Sequence, residues 1–148
     1  MTDVMHSFDL FAPASVEEAA KLLDKHGKDA WIIAGGKDSF DWFKDRHKRP
    51  ATVIDISGLK QLHGISDKGS YISIGALTTL TEIEDNSLIK TSFPILSQAA
   101  GRVASPQIRN SGTLGGNLAQ DTRCTYYRDG FPCYRAGGNT CYANTPTA

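Results

Sequence analysis

The stretch WIIAGGKDS, residues 31–39, joins an apolar run to a pair of adjacent glycines and then to polar residues. The apolar run predicts a buried strand over 31–34, and the aromatic residues within 40–43 predict a brief helix. Glycines carry no Cβ, so the backbone amides of such a loop can approach a ligand closely and form a cradle for phosphate oxygens. The stretch therefore predicts a strand, a phosphate-binding loop and a helix in succession, although an ordinary strand-to-helix turn would have the same pattern.

A second glycine-rich stretch, SGTLGGN, occupies residues 111–117. Its adjacent glycines offer the same close approach of the backbone to a ligand. One loop of this kind is weak support for a binding site, and a tight turn before a strand would account for this one alone. Two such loops in one chain indicate a ligand with a diphosphate and two ends to hold.

The elements around the first loop are typical of a small α/β unit. Residues 8–11 predict a short strand, and the motif SVEE is a capping box that opens an amphipathic helix over 15–26. Residues 52–56 predict a further strand. Because a helix-bearing crossover separates it from the strand at 31–34, we expect these two strands to be parallel. This first subdomain is predicted to span residues 1–57.

Residues 58–119 are predicted to begin a second subdomain, in which antiparallel structure is favoured. The segment 65–75 has apolar residues on both sides of a Lys-Gly turn, which predicts a hairpin. A short helix is expected over 79–85. A longer helix is predicted over 93–104, opened by Phe-Pro and terminated by Ser105-Pro106.

Composition excludes several classes of partner. The chain has 148 residues, 40% of them apolar, and a formal net charge of zero, whereas nucleic-acid and anionic-membrane partners normally demand a basic face. No stretch approaches the ~20 apolar residues of a membrane span, and the first residues lack a signal core. We therefore expect a soluble protein without an export signal of its own, cytoplasmic by default and periplasmic if a partner subunit carries it there.

The tail, residues 120–148, contains all three cysteines of the chain: Cys124, Cys133 and Cys141. A disulfide would leave one thiol over and would need an oxidising compartment, which no signal peptide supports. Zinc usually takes more closely spaced cysteine pairs. An iron–sulfur cluster tolerates wider spacing but usually takes four thiolates. The residues alone leave these three interpretations open.

Three motifs in order resemble the FAD-binding subunit of the molybdenum hydroxylases: AGG with a polar pair at 34–38, IGALTTLTEIE at 74–84 and RNSGTLGGNLA at 109–119. This group includes xanthine dehydrogenase, carbon monoxide dehydrogenase, 4-hydroxybenzoyl-CoA reductase and the periplasmic aldehyde oxidoreductases. The likeness extends from Phe8 to about Cys141. It implies an α+β fold of the PCMH type, in which two α/β subdomains bind FAD, the second being truncated here.

By this resemblance the two glycine loops and the turn after residue 74 hold FAD. No catalytic acid or base is implied, because the flavin supplies the redox chemistry. Lys37 departs from the family, in which threonine or glutamine is commoner, so its ammonium either adds a phosphate contact or points to solvent. The implied FAD-binding residues are Ile33, Ala34, Gly35, Gly36, Lys37, Asp38, Ser39, Phe40, Ala76, Thr78, Thr113, Gly115, Gly116 and Asn117.

The cysteine tail is most similar to one branch of the group. Members resembling 4-hydroxybenzoyl-CoA reductase and aldehyde oxidoreductase insert a cysteine-bearing loop after the GGN motif, and that loop binds a [4Fe-4S] cluster. The resemblance implies that Cys124, Cys133 and Cys141 are three ligands of such a cluster. It also implies a fourth cysteine beyond residue 148, so we expect an N-terminal fragment whose cluster segment, 120–148, is incomplete.

The resemblance implies an oxidoreductase subunit of the aldehyde or xanthine dehydrogenase type. FAD in this subunit would pass electrons between iron–sulfur clusters and an external acceptor. The implied partners are a large subunit with the molybdenum cofactor and a small subunit with [2Fe-2S] clusters. Two alternatives remain: a single-chain flavin oxidase of the broader PCMH family, and a non-catalytic metal-binding module.

Overall fold

The computed structural model describes residues 5–144, which form a mixed α+β fold. A parallel sheet contains β1 (Asp9–Phe11), β2 (Ala30–Ile33) and β3 (Thr52–Asp55), with β3 in the centre. Leu10 of β1 and Trp31 of β2 both lie opposite Val53. The predicted parallel pairing of the strands on either side of the first glycine loop is confirmed, and the strand bounds differ from the prediction by one residue.

The central strand supplies both faces of the sheet with core residues. Val53 and Ile54 are fully buried, and successive strand residues point to opposite faces. One core cluster contains Ile33, Trp42, Phe43 and Val53, and the other contains Ala19, Ile54, Leu59 and Leu77. The prediction that Trp42 and Phe43 cover the apolar side of a short helix is confirmed, since both side chains are buried.

Two helices make the crossovers of this sheet: α1 (Val16–His26) and α2 (Ser39–Lys44). The Ser15 hydroxyl caps α1 by accepting a hydrogen bond from the amide of Glu18 at 3.1 Å. The Glu18 carboxylate in turn accepts from the amide of Ala14 at 2.8 Å. The predicted capping box is therefore present, except that the Glu18 carboxylate bonds the amide of Ala14 and not that of Ser15. Gly27, at φ 55°, ends the helix.

The second half of the chain begins with the predicted hairpin. Its strands, β4 (Ile65–Asp67) and β5 (Ile72–Ile74), are antiparallel, which confirms the prediction. Among the described residues, six short α-helices follow: α3 (Leu80–Asp85), α4 (Ser87–Ser92), α5 (Pro94–Gly101), α6 (Pro106–Arg109), α7 (Leu114–Leu118) and α8 (Thr125–Arg128). Leu80, Ile83, Ile89 and Ala100 form the core beneath the hairpin.

The helix predicted over 93–104 is wrong at its carboxyl end. Helix α5 stops at Gly101, and Ala104 has φ 44°, a left-handed conformation that cannot continue a right-handed helix. Ser105 and Pro106 do not terminate this helix but begin the next one, because the Ser105 hydroxyl accepts from the amide of Ile108 at 3.4 Å. Serine before proline is a helix start as well as a helix stop, and the sequence pattern did not distinguish them.

Helix α7 corrects the alternative interpretation of the second glycine stretch. Thr113 caps α7, so the stretch is the first turn of a helix and not a tight turn before a strand. Within residues 5–144, none of the helices is long and apolar enough to cross a membrane. The division of the chain at residues 57 and 119 stays a prediction.

Candidate functional site

The two glycine stretches meet at one cleft. Its volume is about 670 Å³, within the range of about 300 to 1,000 Å³ that is usual for small-molecule sites. Gly35 and Gly36 line it from one side, and Gly115 and Gly116 line it from the other. Stretches far apart in the sequence therefore form one concave surface.

The contact between the two stretches is direct. A Cβ built on Gly35 would lie 1.7 Å from the carbonyl oxygen of Ser111, a distance that no side chain can occupy. Glycine is therefore required at this position for packing, whatever the cleft binds. The absence of a Cβ is what allows the first stretch to lie against the second.

The first glycine stretch lines the cleft and has unused amide donors. Among the described residues, the amides of 35–38 donate no hydrogen bond to backbone or side chain. Gly36 has φ 69°, a left-handed conformation that favours glycine, and its carbonyl accepts from the amide of Phe40 at 3.1 Å. The Ser39 hydroxyl accepts from Nε1 of Trp31 at 3.0 Å, which ties the end of the loop to β2. Successive free amides in a glycine turn are suited to an anion.

The second glycine stretch is held by the turn that follows the hairpin. The carbonyl of Ala76 accepts from the amide of Gly115 at 2.8 Å, and the carbonyl of Thr78 accepts from the amide of Leu114 at 2.8 Å. A Cβ on Gly115 would lie 2.9 Å from the Ala76 oxygen, so this approach also depends on glycine. The backbone thus holds the turn after residue 74 against the second glycine stretch, while its predicted contact with FAD stays a prediction.

Thr113 and Asn117 have different surroundings in the structure. The Thr113 hydroxyl is buried and accepts from the amide of Gly116 at 3.2 Å, so it serves as the cap of α7. Asn117 lines the cleft, and no hydrogen bond of its side chain is seen within residues 5–144. Its amide therefore offers a donor and an acceptor to a ligand.

Most of the implied FAD-binding residues line the cleft, but three do not. Those at the cleft are Ala34, Gly35, Gly36, Lys37, Asp38, Ser39, Ala76, Thr113, Gly115, Gly116 and Asn117. Ile33 is in the core beneath the sheet, and the ring of Phe40 packs against Phe43 with a centroid distance of 6.1 Å. Thr78 is buried, and its hydroxyl exchanges hydrogen bonds with the amide and the carbonyl of Gly64. The side chains of these three residues support the site from outside it.

The sequence did not predict the apolar wall of the cleft. Val103, Ala104 and Ile108 contribute to this wall from the connection between α5 and α6 and from α6 itself. Ala104 is a non-glycine residue with positive φ, a feature that often accompanies functional sites. The helical spacing of apolar residues that includes Val103 predicted one face of a long helix, whereas the wall of the cleft arises where that helix is interrupted.

Residues of the tail complete the rim of the cleft. Arg123 lines it and contacts Asp38 in the first glycine stretch, as well as Asp41 of α2 at 3.2 Å. Arg128 lies 3.4 Å from the same Asp38 carboxylate. A separate pair joins Arg135 to Asp121 at 2.8 Å. The tail is thus attached to the first glycine stretch by charged side chains.

The pKa of Asp121 reflects two opposing effects. Burial raises this pKa, but hydrogen bonds from Arg135, from the amide of Thr122 and from the Tyr127 hydroxyl together hold it below its ordinary value. Burial and then the hydrogen bond to Asp121 raise the pKa of the Tyr127 phenol. The lowered pKa of Asp121 and the raised pKa of Tyr127 both favour a charged carboxylate beside a neutral phenol near neutral pH.

The structure does not assemble the three cysteines into a metal site. Cys133 is buried, Cys124 is half-buried and Cys141 is exposed, and none forms a disulfide. In the part of the chain that the structure describes, no three histidine, cysteine or acidic side chains are grouped closely enough to hold a metal ion. The fourth ligand was expected beyond residue 148, so that expectation stays a prediction.

Comparison with known proteins gives a consistent result. The family described as "FAD binding domain in molybdopterin dehydrogenase" matches residues 6–146. The nicotinate dehydrogenase FAD-subunit of Eubacterium barkeri is 47% identical over 117 residues, which cover 78% of this chain and 39% of that protein. The aldehyde oxidoreductase FAD-binding subunit PaoB of Escherichia coli K12 is 37% identical over 127 residues, which cover 84% of this chain and 40% of that protein.

A solved structure has the same fold. The carbon monoxide dehydrogenase from Hydrogenophaga pseudoflava that lacks the Mo-pyranopterin moiety matches with a TM-score of 0.76 at 38% identity. The match covers 78% of this chain and 40% of that chain. The chain thus spans about two fifths of the length of the relatives it matches.

Proposed function

Since this chain belongs to the family of FAD-binding domains of molybdopterin dehydrogenases, we propose that its glycine-lined cleft binds FAD. The observation that supports this proposal best is the meeting of two glycine stretches at the cleft, one of which has a row of unused amides. FAD carries a diphosphate between two ring systems. A cleft lined both by residues with unused amide donors and by apolar side chains suits both parts.

The residues that line the cleft are suited to FAD. Gly116 lines the cleft and has no Cβ, so a ligand can approach its backbone closely. Lys37 lines the cleft and adds a positive charge that favours a diphosphate. The Asn117 amide supplies a polar contact of fixed direction.

The role of this chain in the chemistry is to bind and orient. Bound FAD would supply the transfer of electrons, by one or by two at a time. The glycine stretches would fix its diphosphate, and the wall formed by Val103 and Ile108 would exclude water from a ring. No side chain of the cleft is required as a general acid or base in this account.

We further propose that the protein is the FAD subunit of a molybdenum-containing hydroxylase of the aldehyde or xanthine dehydrogenase type. The family and the names of its relatives support this, because they are FAD-subunits or FAD-binding subunits of dehydrogenases and oxidoreductases. The proposed partners are a large molybdenum subunit and a small [2Fe-2S] subunit, and the proposed compartment is the cytoplasm. Co-purification of two further subunits with the tagged protein tests the assembly.

The [4Fe-4S] cluster in the tail is a separate proposal. It rests on the resemblance of the segment after residue 117 to the cysteine-bearing branch of the family, whereas the described residues do not form a metal site. Three thiolates also fall short of the usual four. Iron and acid-labile sulfide, assayed on anaerobically purified protein, test it: about four of each per chain support a cluster, and their absence at full flavin content contradicts it.

The cleft assignment is tested by placing a charge in the cleft at Gly116, whose φ is not positive and whose added Cβ would displace the Thr113 hydroxyl only slightly. Gly116→Asp would bring a carboxylate to the diphosphate, and we expect the affinity for FAD to fall about tenfold or more. Gly58→Asp is the matched control, because a Cβ at Gly58 meets nothing within 4 Å. Equal FAD affinities of the two folded variants would contradict the assignment.

A further inference from the structure

A carboxylate lies where the proposed ligand would bring a diphosphate. Asp38 belongs to the first glycine stretch and lines the cleft, and two anions at such a place repel each other. Its Oδ2 accepts a hydrogen bond from Nε1 of Trp42 at 3.0 Å. Its Oδ1 is paired with Arg123 and with Arg128. The charge of the carboxylate is therefore offset, and its direction fixed, by the two arginines and by Trp42.

The two arginines differ in what they contribute. The Arg123 side chain is 52% exposed, and exposed ion pairs contribute little. The Arg128 side chain is only 10% exposed, and its guanidinium carbon lies 4.1 Å from the centre of the Trp42 ring. Such a distance is well within the range of a cation–π contact. Arg128 thus contacts both groups that fix the loop, the carboxylate of Asp38 and the ring of Trp42.

Because the Arg128 side chain is buried, its charge depends on these two contacts. Its Nε is buried without a hydrogen-bond partner among the described residues, so the charge is offset mainly by Asp38 and Trp42. Removing the partner of a buried charge strongly destabilises the fold. Arg128, Asp38 and Trp42 are therefore expected to act as one unit, in which a change at one member removes the contribution of the others.

We infer that Arg128 is a positioning residue for the diphosphate-binding loop. It acts through Asp38 and Trp42, and it holds residues 35–38 in the conformation in which their free amides line the cleft. The inference rests on the proposed binding of FAD and deepens it, because it makes the tail part of the site. Arg128 and Asp38 are 90 residues apart in the chain, so the cradle is complete only when the tail is folded against it.

The experiment is a double-mutant cycle on the purified protein, with ADP and FAD as the titrated probes. We expect Arg128→Met to weaken the binding of both by about tenfold, Asp38→Asn to weaken it similarly, and the double variant to be no weaker than the poorer single variant. Arg128→Lys retains the charge at a similar length, so it should recover part of the lost affinity. Thermal unfolding of each variant verifies that it is folded.

Arg135→Met is the matched control. Arg135 belongs to the same tail, lies 5.8 Å from the ring centre of Tyr127 and pairs with an aspartate, but it does not contact Asp38. We expect its affinity for ADP to stay within about twofold of the unaltered protein, as for an exposed ion pair.

The outcomes separate this inference from the proposed function. An unaltered protein that binds neither ADP nor FAD overturns the proposed function and the inference together. If the unaltered protein binds both, three results would overturn the inference alone. These are that Arg128→Met binds ADP and FAD as tightly as the unaltered protein, that the effects of Arg128→Met and Asp38→Asn multiply in the double variant, or that Arg135→Met loses as much affinity as Arg128→Met. A coupled loss at Arg128 and Asp38, with recovery in Arg128→Lys, supports it.

Discussion

Gly35 lies so close to Ser111 that a methyl group on Gly35 would sit 1.7 Å from the Ser111 carbonyl oxygen. This contact joins the loop after β2 to the first residue of the second glycine stretch. Because of this contact, residues of both glycine stretches line a single cleft.

The first prediction follows from that contact. Gly35→Ala should lower the free energy of unfolding by roughly 1–3 kcal/mol or more, because backbone must move to admit the methyl group. Gly58→Ala, where a Cβ meets nothing within 4 Å, is the control. Urea unfolding of both variants measures the difference, and equal midpoints would show that the two glycine stretches do not touch.

The second prediction separates support of the site from contact with the ligand. Thr78→Val removes the hydroxyl that exchanges hydrogen bonds with Gly64 and should cost about 1–3 kcal/mol of stability. The affinity for FAD should change little in the folded variant, because Thr78 is buried away from the cleft. Thr122→Val, at an exposed position, is the control for the substitution. A large loss of FAD affinity with unchanged stability would instead place Thr78 in contact with the ligand.

The third prediction concerns acid pH. The folded-state pKa of Asp121 is below its ordinary value of 3.8, so its contribution to stability is complete above that value and is lost as pH falls through the folded-state pKa. We therefore expect the melting temperature to fall less in Asp121→Asn than in the unaltered protein when pH is lowered from about 5 to about 2. Identical pH profiles would show that the hydrogen bonds of Asp121 within the tail do not contribute to stability.

The fourth prediction uses the different burial of the three thiols. In metal-free protein Cys141 should react first with an alkylating reagent and Cys133 last, because access controls thiol reactivity. Mass spectrometry of partially alkylated protein measures the order, and unfolding in urea should abolish it. After anaerobic incubation with iron and sulfide, joint protection of all three cysteines would support the proposed cluster, whereas an unchanged order would contradict it.

The sequence predicted the parts of the fold that have strong local signals. The apolar run at 31–34, the capping motif before α1 and the turn of the hairpin each specify their element with nearby residues, and each is confirmed. The end of α5 could not be predicted in this way. It depends on the left-handed backbone at Ala104, which alanine does not signal.

The sequence predicted the glycine stretches of the candidate site, but it did not predict the side chains at the rim of the cleft. Adjacent glycines indicated where amides could approach a ligand, since glycine reports directly on backbone access. The apolar wall at Val103 and Ile108 and the contacts of Arg123 and Arg128 depend on which segments meet in three dimensions. The spacing of residues within a motif carries no information about such distant contacts.

Titration of the purified protein with FAD, monitored by the visible absorbance and fluorescence of the flavin, tests the central claim most directly. We expect saturable binding of a single FAD per chain, displaced by ADP and weakened in Gly116→Asp but not in Gly58→Asp. A folded protein that takes up no FAD, or that binds it equally well in both variants, would contradict the claim.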